Sequence, residues 1–354
     1  MKNFYSLKVS NIINLTSDSV CIHFDLSSID NNTFSFIAGQ YITIQHFING
    51  EDVRRSYSIS CVPKQNKIEI GVKLVKNGLM STYLTKELKI GDKVNVMPPT
   101  GNFVLNTDKN NSNHYMAICA GSGITPALSM IQDVLNNEPN SSFTLFYGNK
   151  KRSSVMFMDD LMKLEKEFQS QLLIYYFFSR ENVQNSVQGR INNTNLETIF
   201  KENESYQSSD KFFICGPGKM IDDVNNYLTE LSIENEKILF ERFGTAPKSG
   251  EKDVVKQVKE SVSNVTVCVD GDDFEFNLSS SGKTILDAAM EAGADVPFSC
   301  KGGVCCVCKA KVLEGDVVMD QNFSLSEDEV DQGFILTCQS HPSSDNVVVD
   351  FDEV

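Results

Sequence analysis

Between residues 1 and 106 the apolar positions fall in short alternating or β-rich runs: Ser19–Phe24, Tyr41–Gln45, Ser56–Cys61, Lys67–Lys73 and Lys93–Met97. Turn signals such as Asn49-Gly50, Asn77-Gly78 and Gly91-Asp92 separate many of them. Many short strands punctuated by turns predict a small antiparallel barrel. From 107 to 243 the pattern changes. Tyr115–Ala120, Phe143–Tyr147, Leu172–Phe178 and Phe212–Cys215 read as buried strands, with helical stretches at Ala127–Leu135, Asp159–Phe168 and Met220–Leu231. Strands alternating with helices predict a parallel sheet covered on both faces.

Residues 244–260 are polar and charged, the composition of a linker. Residues 261–354 restart with a hairpin, Val265–Val269 and Phe274–Leu278. A helix at Thr284–Ala292, a cysteine-rich loop and runs at Lys309–Leu313 and Phe334–Gln339 follow. These features predict a third, small mixed domain.

Charge sharpens this division. Residues 262–354 hold 18 Asp and Glu against 4 Lys and Arg, a net of −14, while the whole chain of 354 residues carries −15. The first 261 residues are therefore near neutral. An acidic block confined to one segment fits a docking surface for a basic partner and argues against nucleic acid; simple solvation is the competing account. No window reaches the roughly 18 consecutive apolar residues of a membrane helix. Met1-Lys2-Asn3-Phe4 does not lead into a secretory apolar stretch, so a cytoplasmic protein is expected. There ten cysteines would stay reduced, and most of those outside the cysteine-rich loop would be small buried hydrophobes.

Four cysteines have a spacing that carries chemistry. Cys300-x4-Cys305-x2-Cys308, then Cys338 after 29 further residues, is the plant-type arrangement for a [2Fe–2S] cluster. Gly302 and Gly303 let a short loop wrap three thiolates round one centre. Zinc is the alternative metal, although it more often uses paired C-x2-C knuckles. Cys306 sits beside a candidate ligand but would break the spacing.

Four further signals point to phosphates and flat rings. Arg55-Ser56-Tyr57-Ser58 lies on a predicted strand, and Gly78-Leu79-Met80-Ser81 is a Gly–Ser turn opening a helix, which offers N–H groups to phosphate. Gly121-Ser122-Gly123-Ile124-Thr125-Pro126 follows a strand and opens a helix, a placement that suits a pyrophosphate. Cys215-Gly216-Pro217 ends another parallel strand, where a small thiol leaves room for a flat ring. Each alone has an ordinary reading: a strand with a packed tyrosine, a helix-capping turn, a buried cysteine before a turn.

Taken in order, R-x-Y-S, G-x-x-S, G-S-G-I-T-P and C-G-P resemble the ferredoxin–NADP reductase superfamily. The appended cysteine domain, with Leu313-Glu314-Gly315, Met319-Asp320 and Cys338-Gln339-Ser340, is similar to reductase components of the phenylacetyl-CoA epoxidase type. The resemblance spans essentially the whole chain. It implies an FAD-binding barrel (1–106), an NAD(P)-binding α/β domain (107–243), a linker (244–260) and a β-grasp [2Fe–2S] ferredoxin domain (261–354). It further implies that Arg55 binds the FAD pyrophosphate, Tyr57 packs on the isoalloxazine, Ser58 bonds near N5, and Gly78 and Ser81 cradle flavin phosphate. Gly121, Gly123 and Thr125 would hold the dinucleotide. Cys215 and Gly216 would border the nicotinamide, and Phe243, in Glu241-Arg242-Phe243, would cover the flavin. Ser179 and Arg180 resemble a pair that binds the 2′-phosphate of NADP, favouring NADPH; the neighbouring Glu181 keeps NADH open. Arg190 would add to that pocket or cap a turn.

The implied activity is hydride uptake from NADPH by FAD, with Ser58 and Cys215 at the reacting ring, and single-electron delivery through [2Fe–2S]. The acceptor would be a diiron oxygenase docked near the acidic ferredoxin domain. The same electron chain serving a desaturase, another hydroxylase or a hybrid-cluster protein is an alternative, as is a redox sensor without turnover.

Overall fold

The computed structural model describes residues 4–30, 32–63, 66–244 and 261–353. Apart from Gly244, the linker expected at 244–260 lies outside the described residues. The chain forms two compact units, one over Phe4–Phe243 and one containing Gly244–Val354.

The larger unit begins with β1 (Tyr5–Thr16), β2 (Ser19–Asp25), β3 (Tyr41–Ile48), β4 (Glu51–Ser58), β5 (Lys67–Lys73) and β6 (Lys93–Thr100), with a short helix α1 (Leu79–Thr82) between the last two. These strands form one antiparallel sheet in the order β4-β3-β6-β1-β2-β5. Just past β4, an Ile59–Ile70 bridge and the 2.8 Å bond from Ser60 N–H to the Glu69 carbonyl join the two edges and close the barrel. Alternation places Val9, Ile22, Phe24, Ile42, Ile44, Ile70 and Val96 in the barrel core, all fully buried. Burying each contributes about 1.5–3 kcal/mol. Strand β1, which the residue pattern does not predict, is the longest in the barrel at 12 residues. Its alternation is broken by register shifts between Val9 and Asn11 and between Asn14 and Thr16.

The next sheet is wholly parallel, in the order β10-β9-β8-β7-β11-β12. Its strands are β7 (His114–Ala120), β8 (Ser142–Asn149), β9 (Leu172–Phe178), β10 (Val187–Gln188), β11 (Lys211–Cys215) and β12 (Ile238–Glu241). Between them run α2 (Ile124–Asn137), α3 (Met158–Glu167), α4 (Asn193–Glu202) and α5 (Gly218–Glu230). Separate buried clusters on the two faces show that both are covered. Strand order turns back at β7 and β11, the switch point where ligands bind in such sheets.

The barrel and this sheet share packing. A side chain at Gly71 on β5 would stand 2.7 Å from Thr125 Cγ2 and 2.8 Å from Phe157, so only glycine lets the two meet. Ser129 Oγ on α2 donates to the Cys61 carbonyl at 2.6 Å. Glu138, fully buried at the end of α2, accepts from Tyr115, Asn111 and the Asp108 N–H, fixing the connection between the two domains.

The second unit holds β13 (Val262–Val269), β14 (Asp272–Ser279), β15 (Lys309–Glu314), β16 (Val317–Met319), β17 (Phe334–Leu336), β18 (Ser340–Pro342) and β19 (Asn346–Asp350). Its helices are α6 (Ile285–Glu291) and α7 (Glu327–Asp331). Five strands form a mixed sheet, β14-β13-β19-β15-β17, in which β13 and β19 are parallel; β16 pairs with β18. Helix α6, capped by the Thr284 hydroxyl, buries Ile285, Leu286, Ala288 and Ala289 in the core. Residues 337–339, expected as strand, form a tight 3₁₀ turn that carries Cys338.

Candidate functional site

The Arg55–Ser58 motif lies on β4, opposite β3 with Ile44 facing Arg55, Ile42 facing Tyr57 and Tyr41 facing Ser58. Arg55 is exposed, and its Nη1 donates to the Arg54 carbonyl at 2.7 Å. Tyr57 is half-buried, and desolvation pushes its phenol well above the ordinary value. The hydroxyl of Ser81 accepts from Val75 N–H at 3.1 Å and donates to the Gly78 carbonyl at 3.2 Å. Ser81 thus locks the turn, and the first N–H groups of α1 remain for an anion.

The nucleotide motifs sit at the carboxyl ends of neighbouring strands, with Cys119 and Cys215 directly paired. The two glycines of the first motif do different things. Gly121, at φ +57°, opens onto free space, and a side chain there would meet no protein atom within 4 Å. Gly123 is buried, and a Cβ on it would lie 2.2 Å from the Cys215 carbonyl oxygen. It therefore seats the turn against the Cys215-Gly216 backbone. Thr125 Oγ1 donates to the Ser122 carbonyl at 3.0 Å and stabilises the turn from within.

Between these halves lies a residue to which the motifs assign no role. Glu241 ends β12 directly opposite Cys215 on β11. Its Oε2 accepts a 3.1 Å hydrogen bond from Ser58 Oγ on the barrel. Desolvation pushes the Glu241 carboxyl up to about 8, partly offset by the Ser58 donor, so it is mostly protonated at neutral pH. Cys215 is fully buried, and desolvation, with Glu241 adding to it once that acid ionises, holds its thiol far above the ordinary range. Ser58, Glu241 and Cys215 form a neutral polar line where the barrel meets the parallel sheet. The only signal for Glu241 along the chain is a lone acid closing the apolar run Ile238-Leu239-Phe240.

Ser179 and Arg180 follow β9, anchored by backbone bonds to the Asn149 and Lys150 carbonyls. Glu181 Oε2 accepts from the Arg152 backbone N–H at 2.7 Å, so its carboxylate is engaged by the loop after β8. Arg180 and Arg190 extend into solvent. Phe243 lies two residues past β12 and is 44% exposed, so it is not core packing.

In the second unit the sulfurs of Cys300 and Cys305 lie 3.1 Å apart, and Cys338 hydrogen-bonds with both Cys300 and Cys308. Cys305, Cys308 and Cys338 are buried. Gly303, at φ +71°, adopts a backbone that a Cβ would strain, and that Cβ would lie 3.0 Å from the Gln321 carbonyl. Hydrogen bonds from the Cys305 and Cys338 thiols and from the Gly302 and Val304 N–H groups hold the Cys300 thiol far below its ordinary value. Four gathered sulfurs with N–H donors aimed at them fit a thiolate-ligated cluster. Cys306 Sγ points elsewhere, at the Ser324 carbonyl, 3.4 Å away.

Family models match along the whole length. An oxidoreductase FAD-binding domain matches residues 6–105, an oxidoreductase NAD-binding domain residues 117–226, and a 2Fe-2S iron–sulfur cluster binding domain residues 267–343. The chain belongs to the ferredoxin–NADP reductase-like oxidoreductases that carry an appended 2Fe-2S domain. It is 38% identical over 353 residues to a subunit of 1,2-phenylacetyl-CoA epoxidase from Escherichia coli (strain K12), covering 99% of both chains. It is 29% identical to the ferredoxin reductase component of 3-ketosteroid-9-alpha-monooxygenase from Rhodococcus rhodochrous, covering 98% of this chain and 96% of that protein. Among solved structures, phthalate dioxygenase reductase superposes with a TM-score of 0.61 at 23% identity, covering 98% of both chains, and shares the fold. The protein is an NAD(P)H oxidoreductase that uses FAD, a pyridine nucleotide and a [2Fe–2S] cluster. Among the described residues, no helix is long and apolar enough to cross a membrane.

Proposed function

We propose that the chain carries electrons from NADPH through FAD and a [2Fe–2S] cluster to an oxygenase component, with a diiron enzyme such as phenylacetyl-CoA epoxidase as acceptor. The carrying observation is the Ser58–Glu241 bond beside Cys215, which links the strand ends bearing the R-x-Y-S and C-G-P motifs. Flavin supplies the conversion that the route needs, accepting a hydride pair and releasing single electrons.

The chain's own residues set the geometry. Arg55 and the first turn of α1 would hold the FAD phosphates, Tyr57 would pack on the ring, Phe243 would cover it, and the Ser58 hydroxyl would bond near N5. The protonated Glu241 keeps that hydroxyl in place without putting a negative charge beside a ring that gains electrons. Gly121 admits the dinucleotide pyrophosphate, Gly123 and Thr125 shape its turn, and the uncharged Cys215 with Gly216 borders the nicotinamide. Ser179 and Arg180 take the 2′-phosphate. The bond from Arg152 N–H to Glu181 Oε2 supports NADPH, because it ties that acid to the loop after β8. Cys300, Cys305, Cys308 and Cys338 ligate the cluster.

The −14 charge of residues 262–354 would steer a basic acceptor to this domain. The identities to two oxygenase reductases support that acceptor class. Ten cysteines with no disulfide among them suit the reducing cytoplasm. The test is steady-state NADPH oxidation with purified oxygenase components, including a phenylacetyl-CoA epoxidase. Product formation coupled to NADPH use supports the reading. Turnover only with a desaturase or a hybrid-cluster protein would redirect the acceptor, and no turnover with any acceptor protein would favour a sensor.

A further inference from the structure

One cluster of ligating side chains belongs to none of the cofactor motifs. Cys21 and His23 are two apart on β2 and so share a face, and Glu69 on β5 is the cross-strand partner of His23. Ile22 and Phe24 between and beyond them point into the barrel core. Cys21 instead faces outward and belongs to the hydrophobic cluster of the nucleotide domain, which also holds Phe157 and Leu161. One ligand atom each from Cys21, His23 and Glu69 lies within 4.8 Å of the other two. His23 Nδ1 stands 3.7 Å from Glu69 Oε1.

We propose that Cys21, His23 and Glu69 form a binding site for a borderline divalent cation, with Zn2+ the best match, at the seam between barrel and nucleotide domain. The donor set is one thiolate, one imidazole and one carboxylate, the mixture zinc prefers. A tetrahedral ion with bonds of about 2.3 Å to sulfur and about 2.1 Å to nitrogen or oxygen spaces its ligands by about 3.5 Å. The trio closes to that spacing by side-chain shifts on the order of 1 Å. The fourth position falls to water or to Asp160 of α3, whose carboxylate acts electrostatically on both Cys21 and Glu69.

The surroundings favour a cation. Burial first, and then the Glu69 charge, raise the proton affinity of Asp160; burial and both acids raise that of Cys21, and Cys61 adds a second sulfur close by. Lys67, 45% exposed, presently neutralises Glu69 and is free to swing into solvent when an ion arrives. Cys21 is buried, while His23 and Glu69 are 15% and 17% exposed, so the site has a closed back and an open approach. Binding is a simple exchange: the Cys21 S–H bond breaks, a sulfur–metal bond forms and one proton leaves to solvent.

The test uses the holoprotein with FAD and cluster in place. After incubation with Zn2+ alone and desalting, elemental analysis should give about one zinc per wild-type chain with iron unchanged. Cys21→Ser and His23→Gln should each lose retained zinc by at least about tenfold while keeping FAD and iron, which shows that they fold. Zinc-edge X-ray absorption should show one sulfur near 2.3 Å with nitrogen or oxygen around it. Equal zinc in wild type and both variants, no zinc in wild type, or a four-sulfur shell with iron lost would overturn the proposal.

Discussion

Replacing Glu241 by glutamine keeps the shape of the side chain and an oxygen that accepts from Ser58, but removes the titration. In the folded protein the carboxyl ionises near 8 instead of its ordinary 4.5, because burial disfavours the charged form. An acid raised in this way leaves the fold most stable at low pH. Stability then falls as pH rises from 4.5 to about 8, because the unfolded chain ionises first. At about 1.4 kcal/mol per pH unit the whole window amounts to about 5 kcal/mol, and the part between pH 6 and pH 9 to about 2–3 kcal/mol. Glu241→Gln should therefore be the more stable protein, with an advantage that widens by that amount from pH 6 to pH 9. In a unit of this size that is a further gap in melting temperature of roughly 5–10 °C. Paired urea or thermal unfolding at the two pH values, at equal flavin occupancy, measures it. A gap that stays constant would mean that Glu241 ionises as it does in water, and the neutral polar line argued from its burial would be wrong.

Gly123→Ala should cost about 1–3 kcal/mol, because its Cβ would lie 2.2 Å from the Cys215 carbonyl, and should weaken nucleotide binding; Gly121→Ala at the open position should be milder in unfolding assays. Arg180→Ala should raise the KM for NADPH by about 10- to 100-fold, the value of a charge-assisted phosphate contact, and leave NADH little changed in steady-state assays. Cys308→Ser should retain NADPH-dependent ferricyanide reduction and lose cytochrome c reduction, since only the second acceptor draws on the cluster.

Elements were readable where the apolar run was dense or flanked by turn signals, as in β2, β5, β7 and α2, while the sparser patterns of α4 and β19 passed unread. Periodicity also failed at β1, where register shifts interrupt the alternation, and at the short β10, β16 and β18, whose pairing rests on distant partners. The motifs were legible because their chemistry fixes residue type at short spacing: cysteines round a metal, glycines at a tight turn. The role of Glu241 was not legible, because its importance lies in contacts across long sequence gaps. Ser58 is 183 residues away, and burial of the carboxyl depends on how barrel and sheet pack. The different duties of Gly121 and Gly123 were hidden for the same reason, since only the approach of Cys215 separates them.

The most direct test of the electron route is an anaerobic reductive titration with iron and sulfide analysis on the same sample. The account predicts one FAD, two irons and two acid-labile sulfides per chain, and uptake of about three electrons, two by flavin and one by the cluster. After mixing with NADPH, flavin bleaching should precede the cluster's paramagnetic signal. A chain prepared without oxygen that takes up only two electrons, or that lacks iron and sulfide, would contradict it.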